Sequence, residues 1–281
     1  MEDILKIQKI AYNLLVEVDR ICKKYEIKYF LWAGTLLGTI RHKDFIPWDD
    51  DIDIVMFRDD YTRFLEVAQY ELAEDMFLQT NETDVNYPLL FAKVRDRNSA
   101  FVERKLKDIH MHHGVYIDIF PLDYVSDNNI LRSSTIIIFY ILYFIYWSKL
   151  VVFSGVQFNN NNKLKRIITV IAALIFPVKA SRIKTLHADI CTKLNQNETG
   201  FVSILAFPVN LNNRRVLKKE WFDETIKAEF NGSVFTIPAC YHDILTHFFG
   251  DYMKLPPEEK RFPHHQATFS VEESVVAFVN R

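Results

Sequence analysis

The chain has 281 residues, of which 49% are hydrophobic, and its formal net charge is −2. This length is enough for one large domain or two small ones with a sizeable core, and the near-neutral charge argues against binding to nucleic acid or another polyanion. Only seven residues are glycine, and the sequence contains no Gly-rich phosphate loop of the Rossmann or P-loop type.

The first 125 residues predict alternating helices and strands. Apolar residues recur every three or four positions over residues 3–26, which predicts a helix. The other elements expected here are strands at 28–34, 51–57, 89–96 and 114–123 and helices at 35–42 and 59–74. Thr35 is the expected N-cap of the second helix, and Asp59 or Asp60 that of the third. This order predicts an α+β fold with a mixed sheet flanked by helices over residues 1–125.

The second part of the chain, residues 126–185, is strongly apolar. Its first apolar run, Thr135 to Phe153, is broken only by Ser148 and Lys149, and a second run follows at 167–177. Neither run has the roughly 18–20 uninterrupted apolar residues typical of a membrane-spanning helix. Because both runs have basic flanks, we expect a helical hairpin that is either buried in the protein or associated with an anionic membrane surface. A true membrane span is the third alternative.

The third part, residues 186–281, is expected to be mostly helical and to complete the active site. Tandem prolines at positions 256 and 257 exclude a continuous helix near its end.

Four carboxylates, at positions 49, 50, 51 and 53, lie directly against an apolar run. Side chains two residues apart on a strand share a face, so Asp51 and Asp53 are expected to point the same way. Such neighbours repel each other in a partly buried site. A Mg²⁺ ion, or Mn²⁺ in its place, would remove that penalty and keep coordination positions free for substrate phosphates. Asp49 is open as a further ligand, Asp50 is expected to be ordinary loop charge, and a solvated acidic turn remains the alternative.

Two further segments favour a metal–phosphate site. Gly34 and Thr35 lie at a strand-to-helix turn, where backbone N–H groups and the helix N-terminus can contact a phosphate. Asp118 lies between two isoleucines on the strand predicted at 114–123, and a buried carboxylate is costly unless it is paired or binds a metal. Asp118 is therefore expected to be a third metal ligand or the base that activates an acceptor hydroxyl.

The segments "LWAGTLLGTIRHKDFIPWDDDIDI" and "DIFPLD" resemble the LicD family of bacterial phosphocholine transferases, which is related to fukutin-type enzymes. The resemblance continues in "NYPLLFAKVRDRNSAF", in "HHGVYIDIFPLD" and in the C-terminal "VFTIPACYHDILTHFFGDYMKLPPEEKRFPHH". It implies a nucleotidyltransferase-like core with metal on Asp51, Asp53 and Asp118. It also implies transfer of phosphocholine from CDP-choline to a sugar hydroxyl of a teichoic acid or lipopolysaccharide precursor, lipid-linked or polymeric. CMP would be released on the cytoplasmic side, at the inner face of the cell membrane.

Further substrate contacts are expected from residues near these motifs. The basic candidates for phosphate contact, each of which is otherwise an exposed charge, are Arg41, Lys93 and Arg95. The resemblance assigns substrate or phosphate contact to His264 and His265. Choline is a quaternary ammonium and binds aromatic faces. Trp48, beside the acidic residues, is the candidate for that contact, whereas Trp32 is expected to belong to the core.

Three alternative functions remain open. Transfer of another CDP-linked phospho-alcohol, glycerol or ribitol phosphate, would need polar groups in place of an aromatic face. A metal-dependent glycosyltransferase would use its own D-x-D motif, but it usually needs a Rossmann-like half that this pattern lacks. A non-catalytic membrane-surface protein would tolerate the loss of Asp51 and Asp53.

Overall fold

The computed structural model describes residues 2–157, 162–207, 216–263 and 265–280, and it has the α+β architecture expected from the sequence. The helices are α1 (Glu2–Lys24), α2 (Ala33–His42), α3 (Arg58–Glu71), α4 (Asn129–Phe153), α5 (Lys163–Ile175), α6 (Ala180–Leu194), α7 (Tyr241–Phe249) and α8 (Glu273–Val279). The strands are β1 (Phe30–Leu31), β2 (Asp53–Phe57), β3 (Met76–Gln79), β4 (Ala92–Asp96), β5 (Ala100–Glu103), β6 (Tyr116–Val125), β7 (Phe201–Ser203), β8 (Val216–Lys218), β9 (Thr225–Phe230), β10 (Ser233–Pro238) and β11 (Ala267–Ser270).

The main sheet is mixed, with strand β6 at its centre. Its order is β1–β2–β6–β4–β3, and β7 pairs with the end of β6 and carries β8. Strands β2 and β6 are parallel, and the other neighbours are antiparallel. The register places Asp53 opposite Asp118, and Asp118 opposite Lys93 on β4. The parallel pair therefore brings two of the predicted site carboxylates side by side.

The interior of strand β2 is covered on both faces. Ile54, Val55 and Met56 are all fully buried, and helices α2 and α3 both contact the strand. A strand buried on both faces does not show the polar–apolar alternation of a half-exposed strand. Strand β2 also begins two residues later than predicted, so that Asp51 lies in the preceding loop while Asp53 is the first strand residue.

The expected helix caps are wrong. Helix α2 begins at Ala33, and Trp32, without a capping side chain, occupies its N-cap position. The Thr35 hydroxyl instead accepts a hydrogen bond from the backbone N–H of Asp53, at 2.9 Å, because α2 packs across the start of β2. Asp59 and Asp60 lie inside the first turn of α3, where negative charge favours the positive end of the helix dipole.

The C-terminal part contains helices, as expected, and also strands that the sequence pattern did not predict. Strands β9 and β10 form an antiparallel hairpin whose turn is Asn231-Gly232. Both turn residues have positive φ, 48° and 76°, which is the conformation an Asn-Gly pair favours. Strand β7 pairs with β6 and β11 pairs with β5, so the C-terminal part is joined to strands of the first 125 residues at two places.

The apolar segment forms a helical hairpin that is buried on one side only. Helix α4 packs against α5 and α6 and buries Phe139, Tyr146 and Leu150. Among the described residues, α4 is the one helix that is long and apolar enough to cross a membrane by length and composition. Several large aliphatic side chains of α4 and α5 remain exposed to solvent.

Candidate functional site

The acidic loop, defined as residues 43–52 between α2 and β2, is held in place through its backbone. The side-chain amide of Gln8 on α1 donates hydrogen bonds to the carbonyls of Asp49, at 2.8 Å, and Ile46, at 3.4 Å. At the other end of the loop, the carbonyl of Ile52 accepts a hydrogen bond from the Asp118 N–H at 2.8 Å. These contacts fix the loop against both α1 and β6 and leave its carboxylates to face one another.

The carboxylates of Asp49, Asp51 and Asp53 destabilise one another's ionised forms. Burial and the charge of Asp50 raise the pKa of Asp49 to about 6. Burial and the charge of Asp49 raise the pKa of Asp51 to about 8. Burial and the charges of Asp51 and Asp118 raise the pKa of Asp53 well above its ordinary value. An arrangement in which several carboxylates raise one another's pKa gains stability when a cation binds between them.

Asp118 has a cationic partner within the protein. Lys93 Nζ lies 2.6 Å from Asp118 Oδ1 and 3.1 Å from the centroid of the Tyr116 ring. Both charged side chains are almost completely buried, and burial lowers the pKa of Lys93. The structure thus places Lys93, a predicted substrate contact, behind Asp118 in the sheet.

His265 joins the acidic loop from the other end of the sequence. Its Nδ1 lies 3.0 Å from Asp50 Oδ1 and 3.8 Å from Asp51 Oδ2, and its backbone N–H donates to Asp50 Oδ2 at 3.2 Å. Burial disfavours the charged ring, but the hydrogen bond to Asp50 and the charge of Asp51 raise the pKa of His265 to about 9. Asp50 and Asp51 therefore favour the protonated form of the His265 ring. His264, the other histidine predicted to contact substrate or phosphate, lies outside the described residues.

Asp50 was expected to be an ordinary solvated charge of the loop, and this expectation is wrong. The residue is buried, with 5% exposure, because the segment before β11 covers it and supplies two hydrogen bonds from His265. Ligand atoms of Asp50, Asp51 and His265 all lie within 4.8 Å of one another, which makes these three residues a group that could hold a metal ion. The predicted ligand set of Asp51, Asp53 and Asp118 shares one member with this group.

Gly34 lies directly against the acidic loop. A Cβ atom at this position would lie 2.5 Å from Asp49 Oδ2, closer than any ordinary contact, so a side chain here would displace the carboxylate. Thr35, the next residue, is buried, and its hydroxyl binds the Asp53 N–H. In this structure Gly34 borders the open space of the site, whereas Thr35 supports the start of β2.

A cavity of about 780 Å³ opens beside the acidic loop. Asp49, Asp51 and Asp53 line one side, and the segment after α7 lines the other, with Lys254 and Lys260 among its residues. This volume is in the range of sites that enclose a nucleotide-sized ligand. The cavity therefore has an acidic wall, formed by Asp49, Asp51 and Asp53, and a basic wall, which carries Lys254, Lys260 and a single carboxylate, Asp251.

Two arginines lie near each other, and one of them lines this cavity. Arg41 lines it and donates from Nη1 to the carbonyl of Tyr252 at 2.9 Å. Burial and the neighbouring charge of Arg261 lower the pKa of Arg41. The Arg261 guanidinium lies 5.7 Å from the centroid of the Trp48 ring, and Trp48 also lines the cavity. Trp32, in contrast, is buried between Phe222 and Phe248, as expected for a core residue.

Arg95 lies away from the cavity. Its side chain is fully buried, with Nε bonded to Gln79 Oε1 and Nη1 donating to the Gly114 carbonyl at 2.6 Å. The guanidinium also lies 4.7 Å from the centroid of the Tyr116 ring, on whose surface Lys93 rests as well. The contacts of Arg95 therefore hold β4, β3 and the start of β6 together.

Sequence reasoning missed five charged residues at or near the site. Glu103 is buried beside Lys93, and although burial opposes ionisation, the charges of Lys93 and Lys105 lower its pKa to about 2. Lys254, Lys260 and Arg261 come from the stretch "MKLPPEEKRF", whose basic residues were the available signal. Asp50 had no distinguishing signal, because its partner His265 is 215 positions away.

Comparison with known proteins identifies the family. A family model described as the LicD/FKTN/FKRP nucleotidyltransferase domain matches residues 26–158. Over 268 residues the chain is 32% identical to the lipopolysaccharide cholinephosphotransferase LicD of Haemophilus influenzae, covering 92% of this chain and 94% of that protein. The chain belongs to the LicD family. An uncharacterised protein of Rickettsia typhi is 29% identical over 119 residues, which is 42% of this chain and 36% of that protein.

The family domain contains the acidic loop, β2, β4 and β6, and so contains every carboxylate of the site described above except Asp251. His265 and the basic wall lie beyond the matched residues. The candidate site therefore combines residues of the family domain with residues of the C-terminal part.

Proposed function

We propose that this protein transfers phosphocholine from CDP-choline to a sugar hydroxyl of a cell-surface glycan precursor, either a lipopolysaccharide or a teichoic acid, and releases CMP. Family membership and the name of the Haemophilus influenzae relative support this activity. The observation that carries it is the cavity whose acidic wall faces Arg41, Lys254 and Lys260 with Trp48 beside them. Such a cavity has separate partners for metal, phosphate and a quaternary ammonium.

The acidic wall fits a divalent cation. Carboxylate oxygens are the donors that Mg²⁺ and Mn²⁺ prefer. Burial and the neighbouring carboxylates raise the pKa values of Asp51 and Asp53, and a bound cation would favour their ionised forms. Asp51, Asp53 and Asp118 would hold the ion, with Asp50 and His265 beside them. When bound, the ion supplies positive charge to the pyrophosphate of the donor.

The donor's phosphates would bind Arg41 and Arg261 together with the basic wall. Burial and the nearby charge of Arg261 lower the pKa of Arg41, and a pyrophosphate bound between the two side chains would favour the charged guanidinium of Arg41. Gly34, in the first turn of α2, allows backbone N–H groups at the helix N-terminus to approach a phosphate. Lys254 and Lys260 line the same side of the cavity.

The choline group would lie on Trp48. A quaternary ammonium cannot donate a hydrogen bond, so its binding relies on aromatic faces and negative charge. Trp48 is half-buried and lines the cavity near Asp49, which offers both. Because Arg261 also lies over the Trp48 ring, choline binding there requires the guanidinium to engage the neighbouring phosphates.

The chemical step is a displacement at phosphorus. The acceptor hydroxyl oxygen attacks the phosphorus of the phosphocholine group, the bond from that phosphorus to the bridging oxygen breaks, and CMP leaves with that oxygen. The hydroxyl proton passes to a carboxylate. Asp118, which lies opposite Asp53 in the register of β2 and β6, is our candidate for this role as the alternative to metal ligation. Positioning and charge neutralisation account for most of the rate enhancement in such reactions.

The test is release of CMP from a panel of donors. Purified protein is incubated with CDP-choline, CDP-glycerol, CDP-ribitol or a UDP-sugar, with Mg²⁺ or Mn²⁺ or with EDTA, and with membrane extract as the source of acceptor. We expect CMP from CDP-choline only when a divalent ion is present. If CDP-glycerol or CDP-ribitol is turned over in preference to CDP-choline, the transferred group is the phosphate of that alcohol and not phosphocholine. If no donor yields CMP, the proposed transferase activity is refuted.

The acceptor places the reaction at the cytoplasmic side of the membrane. Glycan precursors of this class are carried on lipid or on a growing polymer, so we propose that the protein works in the cytoplasm at the inner face of the cell membrane. Fractionation of cells that express the tagged protein checks this, and recovery outside the cytoplasmic and inner-membrane fractions would contradict it.

A further inference from the structure

Helix α5 exposes its large apolar residues and buries its small ones. The face that packs against α4 consists of Thr169, Ala172 and Ala173, all buried. The outer face consists of six aliphatic side chains between 46% and 67% exposed: Leu164, Ile167, Ile168, Ile171, Leu174 and Ile175. A surface helix of a soluble protein normally directs its large aliphatic residues towards the core. Helices that face lipid instead show the opposite pattern, with small residues at the contact with a neighbouring helix and large residues on the outside.

Hydrogen bonds and a ring contact hold α5 on α4 and α4 on the rest of the protein. Lys149 Nζ on α4 donates hydrogen bonds to the carbonyls of Ala173 and Phe176, which holds the end of α5 on α4. Helix α4 is in turn held to the rest of the protein, because the Tyr146 hydroxyl donates to the Pro88 carbonyl at 2.7 Å. The Phe139 ring also lies 5.0 Å from that of His187 on α6.

The charge around this surface has one sign. Residues 128–188 contain eight Lys or Arg and no Asp or Glu, in a chain whose net charge is −2. The basic residues that flank α5 and are exposed are Lys163, Lys165, Arg166, Lys179 and Arg182. An exposed apolar helix with basic ends complements an anionic lipid surface. The same excess of positive charge repels a second copy of this face.

We propose that α5 is a docking surface for an anionic phospholipid bilayer. Helix α5 lies in the plane of the interface, with its aliphatic face among the upper acyl chains and its flanking basic residues among the headgroups. Its 13 residues extend about 20 Å, less than the roughly 30 Å hydrocarbon core, so α5 does not span the bilayer. This surface does not depend on the proposed chemistry.

Flotation with lipid vesicles tests the proposal. The full chain is mixed with vesicles of phosphatidylcholine alone or of phosphatidylcholine with phosphatidylglycerol, and bound protein is measured after a density gradient. We expect binding to the anionic vesicles, and a fall of about tenfold or more in the partition coefficient for Ile168→Asn/Ile171→Asn. Lys165→Glu/Arg166→Glu should cause a fall of similar size, specific to anionic vesicles.

Two matched variants provide the controls. Leu5→Asn/Val16→Asn removes two exposed aliphatic side chains from α1, and Lys9→Glu/Lys28→Glu reverses two exposed charges outside the hairpin. Both should keep wild-type binding, and circular dichroism and CMP release should show that all four variants fold. The proposal is refuted if the wild type does not float with anionic vesicles, or if the control variants lose as much binding as the hairpin variants. It is also refuted if light scattering shows a dimer that only the hairpin variants lose.

Discussion

Replacement of Lys93 by Met should destabilise the protein strongly. The ammonium and the Asp118 carboxylate lie 2.6 Å apart with side chains only 2% and 9% exposed. At an effective dielectric constant of about 20, their attraction is about 6 kcal/mol, part of which offsets the cost of removing both charges from water. Because Met cannot neutralise Asp118, the substitution leaves a buried carboxylate without its partner. The expected loss in the free energy of unfolding is about 3–5 kcal/mol.

Urea unfolding followed by circular dichroism, with EDTA present to exclude metal ions, measures this loss. The double variant Lys93→Met/Asp118→Asn should recover most of it, since the remaining side chains are neutral. Lys23→Met, which breaks the exposed pair with Asp19 on α1, is the matched control and should cost about 0.5 kcal/mol or less. If Lys93→Met unfolds at the wild-type urea concentration and only raises KM for CDP-choline, Lys93 is a substrate contact and our account of it is wrong.

Three further substitutions test separate parts of the cavity. Gly34→Ala places a Cβ atom 2.5 Å from Asp49 Oδ2. Displacement of this carboxylate should lower kcat for CMP release about 100-fold with little change in Tm. A variant with the wild-type kcat would contradict this close approach. Trp48→Leu should raise KM for CDP-choline about tenfold and leave inhibition by CMP unchanged, whereas equal weakening of both would assign Trp48 to the nucleotide. Arg261→Gln should weaken CDP-choline binding by calorimetry about tenfold, and unchanged affinity would remove Arg261 from the phosphate site.

The sequence was sufficient to predict the centre of the sheet and the main acidic residues. Apolar runs around Asp53 and Asp118 predicted β2 and β6 because buried strands have that composition, and the structure pairs the two residues in register. The β9–β10 hairpin was also encoded locally, by Asn231-Gly232, but the weak alternation of the flanking residues hid it. Strands β7 and β11 have four residues or fewer, too short for a recognisable period.

The rest of the site depends on contacts that no local pattern contains. Asp50 and His265 meet across 215 positions of sequence, and Arg41 and Arg261 across 220. Lys93 and Arg95 share one face of β4 by the two-residue period, yet the strand directs that face into a buried layer around Tyr116. Burial of a basic residue is set by what packs over the strand, and that information lies elsewhere in the chain.

The most direct test of the proposed function follows the phosphocholine group itself. CDP-choline labelled in the choline is incubated with protein, Mg²⁺ and glycan acceptor extracted from the membrane, and both CMP release and label in the glycan are measured for the wild type and for Asp53→Asn. We expect one labelled choline in the glycan for each CMP released by the wild type, and loss of both in Asp53→Asn with its circular dichroism unchanged. Label that stays out of the glycan, or an Asp53→Asn variant with wild-type transfer, would contradict a phosphocholine transferase built on this acidic wall.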